Sequence, residues 1–167
     1  IDVRPQRVEI PTGASHVGIW AKPDREYIGL SLWALVQDST GRLRFFSLGG
    51  LETADWTLAL GEIPSDASAP LYLLSVQVAE PSYGFQTPSG TVLFDDLHVT
   101  FGADGEKVVL EDFESTPLIW TPITTSLVRS DSLSATREDV VEGHMAGKFS
   151  FGRENQFGIR GFYQSPT

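Results

Sequence analysis

The chain has no cysteine. Disulfide staples, thiolate metal sites and cysteine nucleophiles are excluded with it. Asn155 is the only asparagine and Met145 the only methionine, and lysine occurs only as Lys22, Lys107 and Lys148, against nine arginines. Scarcity of thermolabile residues fits a thermophilic source. A biased genome composition fits equally well. No stretch of about 18 apolar residues occurs, so no transmembrane helix is expected. No signal peptide is visible. The chain opens on Ile1 rather than Met, so a piece of a longer protein is expected. Positive charge is in deficit: the formal net charge is −10. A surface of that sign repels phosphate backbones and anionic lipid, and nucleic acid is not an expected partner.

Catalytic signatures are missing as well. There is no HExxH, no P-loop and no Rossmann glycine pattern. The stretch "GASHV" (13–17) has Val17 where a nucleophile elbow requires glycine, and no helix follows. His16, His98 and His144 are scattered along the chain and read as surface or satisfied polar residues rather than ligands. No enzymatic activity is expected.

What is present is a series of short apolar runs separated by turn residues. "RVEI" ends at Pro11, "HVGIWA" at Pro23, "WTLALGEI" at Pro64 and "PLYLLSVQVAE" at Pro81. Residues 27–48 read as a β-hairpin around "DSTG" (38–41), with Leu30, Leu32, Ala34 and Val36 alternating against Ser31, Trp33, Leu35 and Gln37. "TVLFDDLHVTF" turns at "GADGE" into "KVVLEDFE", and "MAGKFSFG" and "FGIRGFYQ" close the chain. The segment 131–142 is the only tempting helix; its serines and Thr136 weaken it, and a loop or single turn is expected. About ten or eleven strands and no convincing amphipathic helix predict an all-β antiparallel sandwich or barrel.

Two of these strands carry acids: Asp95 and Asp96 inside one, Asp112 and Glu114 at the end of the next. Glycoside hydrolysis uses two carboxylates, but such a pair faces across a cleft, whereas Asp112 and Glu114 are two residues apart, on one face of a strand. Asp95 is in phase with Leu93, Leu97 and Val99, and Asp96 with Val92 and Phe94. In a regular strand one carboxylate must enter the core, and a buried charge needs a partner. A metal ion, an arginine, backbone amides and solvent at the strand end are the candidates. Arg160, on a strand, could pair with one of these acids.

"EDFES" (111–115), with Trp120 and "VVEGHMAGKFSF" (140–151), resembles the opening of a galactose-binding-like jelly roll, the fold of many carbohydrate-binding modules. "HVGIWAK", "YIGLSLWALVQDSTGRLRFFSLGGLETADWTLA" and "GTVLFDDLHV" resemble its middle and closing strands. With "PLYLLSVQVAEPSYGFQTPSGTVLFDDL", the combination most resembles the extracytoplasmic insert of FtsX/MacB-like ABC-transporter permeases. That resemblance implies a non-catalytic, extracytoplasmic part of a membrane protein. Its partners would be other domains of the parent or a partner protein. The alternative is a carbohydrate-binding module attached to a larger glycan-active protein. The order departs from the usual form, because "DDL" precedes "DFE". Either 1–101 and 108–167 are halves of two modules, or 1–167 is one circularly permuted sandwich. Half-modules would leave open edges and a bare apolar face, so the permuted sandwich is expected. A swapped dimer satisfies the same physics between chains.

In the fold's usual form the first and last strands are neighbours whose acids often hold a structural calcium. The resemblance thus implies Asp96 and Glu114, then Asp95 and Asp112, as metal ligands. Aromatic rings supply the other candidate site. Trp20, Trp33, Trp56 and Trp120 are read as core. Tyr83 and Phe85, in the Pro/Gly/Ser-rich "EPSYGFQTPSG", are the candidate ligand-binding rings, or they tuck under their own loop.

Overall fold

Alternation in sequence becomes alternation in burial in the computed structural model, which describes residues 7–79, 90–114, 120–122, 132–151 and 160–164. Among these residues every regular element is a strand. In chain order they are β1 (Val8–Ile10), β2 (His16–Pro23), β3 (Ser31–Gln37), β4 (Leu43–Gly50), β5 (Thr57–Glu62) and β6 (Leu71–Ala79). The second half supplies β7 (Gly90–Thr100), β8 (Lys107–Glu111), β9 (Trp120–Pro122), β10 (Ser132–Thr136), β11 (Ala146–Phe151) and β12 (Arg160–Gln164).

The strands form two antiparallel sheets packed as a sandwich, the all-β class that the run spacing predicts. Sheet I runs β4-β3-β6-β12-β9, with β1 beside β6. Sheet II runs β10-β11-β7-β2-β5, with β8 beside β7. Leu32, Ala34 and Val36 of β3 face the core, while Trp33, Leu35 and Gln37 between them stay partly exposed. The hairpin turns at Asp38, whose Oδ1 accepts the Thr40 and Arg42 amides at 2.9 and 3.0 Å. That side chain does locally what a second backbone carbonyl would otherwise do. At the corner where β4 meets β5, a Cβ on Gly61 would sit 2.2 Å from the Ser47 carbonyl oxygen, so only glycine lets the two backbones approach.

Ser132–Thr136 corrects the loop or turn expected over 131–142. It is a strand, β10, paired antiparallel to β11 with Leu133 opposite Phe149. "SLSAT" alternates polar and apolar residues with period two, and Leu133 packs against the core. The partner strand overrides the weak local signal. Trp120 lies in the core as expected, whereas Trp20, Trp33 and Trp56 remain partly exposed.

Strands after residue 106 enter both sheets: β8, β10 and β11 in sheet II, β9 and β12 in sheet I. They bring Phe113, Trp120, Phe149 and Phe151 into the apolar cluster. Burying each such side chain is worth about 1.5–3 kcal/mol. Net stabilities of domains are only about 5–15 kcal/mol. Expressing residues 1–106 alone should therefore give an aggregated or unfolded product. A sharp thermal transition unshifted from that of the full chain would show that the second part is dispensable.

Candidate functional site

The acids meet at a break in one ladder of sheet II. One edge of β7 is covered by β2, from Val92 to Thr100. The other edge is shared end to end: β11 pairs with Gly90–Phe94 and β8 with Leu97–Thr100. Asp95 and Asp96 fall in the gap between the two. On the β2 side the register jumps between Gly18 and Trp20, leaving an extra residue in β7, and Asp96 has a φ of 50°. This is a β-bulge with its strained residue supplied by aspartate, one of the few non-glycine types that tolerate positive φ.

The bulge removes the choice posed by a regular strand. Val92 and Phe94 enter the core before it, and Leu97 and Val99 after it. The phase slips by one residue, so neither aspartate belongs to the apolar cluster. Both are nonetheless about 1% exposed. Buried carboxylates must be compensated, and each is compensated differently.

Asp95 is held by amides. Its Oδ2 accepts N–H bonds from Val141 at 2.8 Å and Glu142 at 3.1 Å, and its Oδ1 accepts that of Asp96 at 2.8 Å. Burial pushes its carboxyl above the usual range, and the three amides pull against that. Asp96 is held by an ammonium: Lys107 Nζ donates to its Oδ2 at 2.6 Å and also reaches Glu142 Oε1 at 3.4 Å. The hydrogen bond to Asp96 raises the Lys107 pKa, which secures its charge. His98 Nδ1 lies 2.6 Å from the Asp96 carbonyl oxygen and 3.7 Å from Oδ2.

Glu114 repeats the amide pattern from the other side of the gap. Its Oε1 accepts the His144 and Met145 amides at 2.8 and 3.0 Å. The Met145 amide, then that of His144, holds its carboxyl below the usual glutamate range. Gly143 makes the approach feasible, since a Cβ there would lie 2.1 Å from Glu114 Oε1 and its φ is 70°. Asp112 is exposed and turns the chain by accepting the Glu114 amide at 3.0 Å. Buried Glu111, not among the sequence candidates, accepts the Phe113 amide at 2.5 Å, and burial raises its pKa.

All four candidate ligands, Asp95, Asp96, Asp112 and Glu114, therefore line one cavity of about 300 Å³, with Val109, Glu142 and Gly143. Calcium wants roughly six to eight oxygens. Here both oxygens of Asp95, Oδ2 of Asp96, Oε1 of Glu114 and Oδ1 of Asp112 already accept N–H bonds. Asp96 Oδ1 is buried with no hydrogen-bond partner. Among the described residues no group of three or more His, Asp or Glu side chains converges as a metal site would require. The donor set is thus a poor match to calcium in this arrangement. Lys107, Glu142 and Gly143, which complete the cluster, were not singled out as site residues from the sequence.

A second surface lies on the outer face of sheet I. Trp33 and Phe45 stack with ring centroids 4.9 Å apart and planes 8° from parallel. Phe45 and Leu43 are exposed, and Trp33 Nε1 donates to Ser31 Oγ at 2.7 Å. Arg7 lies over the Tyr72 ring at 4.5 Å and donates to Gln37 Oε1 at 3.2 Å. Tyr83, Phe85 and the Arg160 side chain fall outside the described residues. Comparison with family models, curated proteins and solved structures finds no match to this chain.

The depressed Glu114 pKa has a definite sign in stability. Its contribution is complete above the unfolded glutamate pKa of about 4.3 and is lost as pH falls through the lower folded value. Glu114→Gln should therefore melt below wild type near neutral pH, with the difference shrinking as the solution is acidified through that window. A difference independent of pH would mean that the charge on Glu114 does not hold the two amides.

Proposed function

We propose that this chain is a non-catalytic contact module, a circularly permuted galactose-binding-like jelly roll forming the extracytoplasmic insert of an FtsX/MacB-like ABC-transporter permease. It meets other domains of the parent membrane protein or a partner protein. The observation that supports this reading is the adjacency of β7, which carries "DDL", and β8, which leads into "DFE". In the fold the chain resembles, those are the last and first strands, and they are neighbours. Buried Asp95 is tied to the Val141 and Glu142 amides and buried Asp96 to Lys107, the ties of a structural cluster.

The Trp33–Phe45 pair favours a second reading, a carbohydrate-binding module. The stacked rings, with exposed Phe45 and Ser47 on the same side of β4, offer a sugar an apolar face and a hydroxyl. Affinity electrophoresis against a panel of polysaccharides separates the two. The permease reading expects no retardation and a gene that encodes membrane-crossing segments flanking this chain. Retardation abolished by Trp33→Ala and Phe45→Ala would replace it with the glycan reading.

A further inference from the structure

All three lysines of the chain converge on one short stretch. Residues 137–145 have no regular secondary structure and cross from β10 to β11. Three of their acids each meet a lysine from a different strand of sheet II. Glu138 meets Lys148 of β11 at 2.7 Å, Asp139 meets Lys22 of β2 at 2.5 Å, and Glu142 meets Lys107 of β8 at 3.4 Å. Four of their amides are taken by Asp95 and Glu114, on either side of the gap beside β7. Exposed ion pairs are individually weak, so Lys22 and Lys148 serve as guides more than as anchors. Lys107 differs, because its second partner, Asp96, is almost wholly buried and has no closer cation among the described residues. Removing one member of a pair that includes a buried charge leaves that charge uncompensated.

We propose that residues 137–145 are an ionically fastened strap that closes the gap in sheet II, and that the Lys107 ammonium is the built-in cation of the site, standing where the resemblance puts calcium. The strap supplies amides to the two carboxylates that would otherwise be metal ligands. Lys107 neutralises the third. The lock of the site is then part of the chain, with Asp96 Oδ1 left without a hydrogen bond.

Thermal unfolding of the full chain tests this. The wild type should melt at the same temperature in excess chelator and in excess calcium chloride. Lys107→Met, which keeps the stem and removes the charge, should melt about 4–8 °C lower or fail to fold. Lys107→Arg keeps the charge and should stay within about 2 °C of wild type. The proposal is overturned if chelator lowers or calcium raises the wild-type transition, or if Lys107→Met is as stable as wild type. Collapse of Lys107→Arg along with Lys107→Met would overturn it too, since the charge would then not be what matters.

Discussion

A strand whose edge is shared by two partners has a point at which neither reaches it. In β7 that point is Asp95–Asp96, between the end of β8 and the start of β11. Ladder hydrogen bonds stop there, yet the position lies near the middle of a central strand and is buried. Backbone polar groups in such a place need partners. The chain solves this with side chains that accept many hydrogen bonds and with a loop that presents its amides to them. The bulge, the positive φ of Asp96, the strap and Gly143 all follow from closing one gap.

Magnitudes rank the ties. Hydrogen bonds to a charged group contribute about 1.5–3 kcal/mol each, against about 0–1 kcal/mol for an exposed ion pair. The Asp95 and Glu114 amide clamps therefore hold the strap more than Lys22–Asp139 or Lys148–Glu138 do. Burial pushes the Asp95 carboxyl upward, and its three amides pull against that push. Asp96 depends on one ammonium, with one oxygen left without a partner. Asp96 is thus the place in the cluster where a lost charge should be felt most.

Most strands were legible in sequence because they are apolar runs bounded by proline or glycine. Leu30 to Val36 alternate and are buried accordingly. The acids were legible as a group, since four carboxylates occur in or at the end of two successive apolar runs, although β8 stops at Glu111 and leaves Asp112 and Glu114 beyond the strand. Their arrangement was not. A strict period of two put either Asp95 or Asp96 in the core, whereas the bulge lets both escape it. Positive φ at an aspartate leaves no mark in composition. Lys107 sits at the head of an ordinary strand and gains its role only when β8 pairs with β7. "SLSAT" was too polar to read as a strand without its partner β11.

A break closed by an internal strap is compatible with the contact role proposed for the chain. Val141, Glu142, His144 and Met145 should then be held as firmly as strand residues although they lie in a stretch without regular structure. Residue-resolved amide hydrogen exchange of the full chain tests that most directly. The account expects these four amides to exchange as slowly as those in the β7 ladders. Exchange at the rate of an open loop would contradict it.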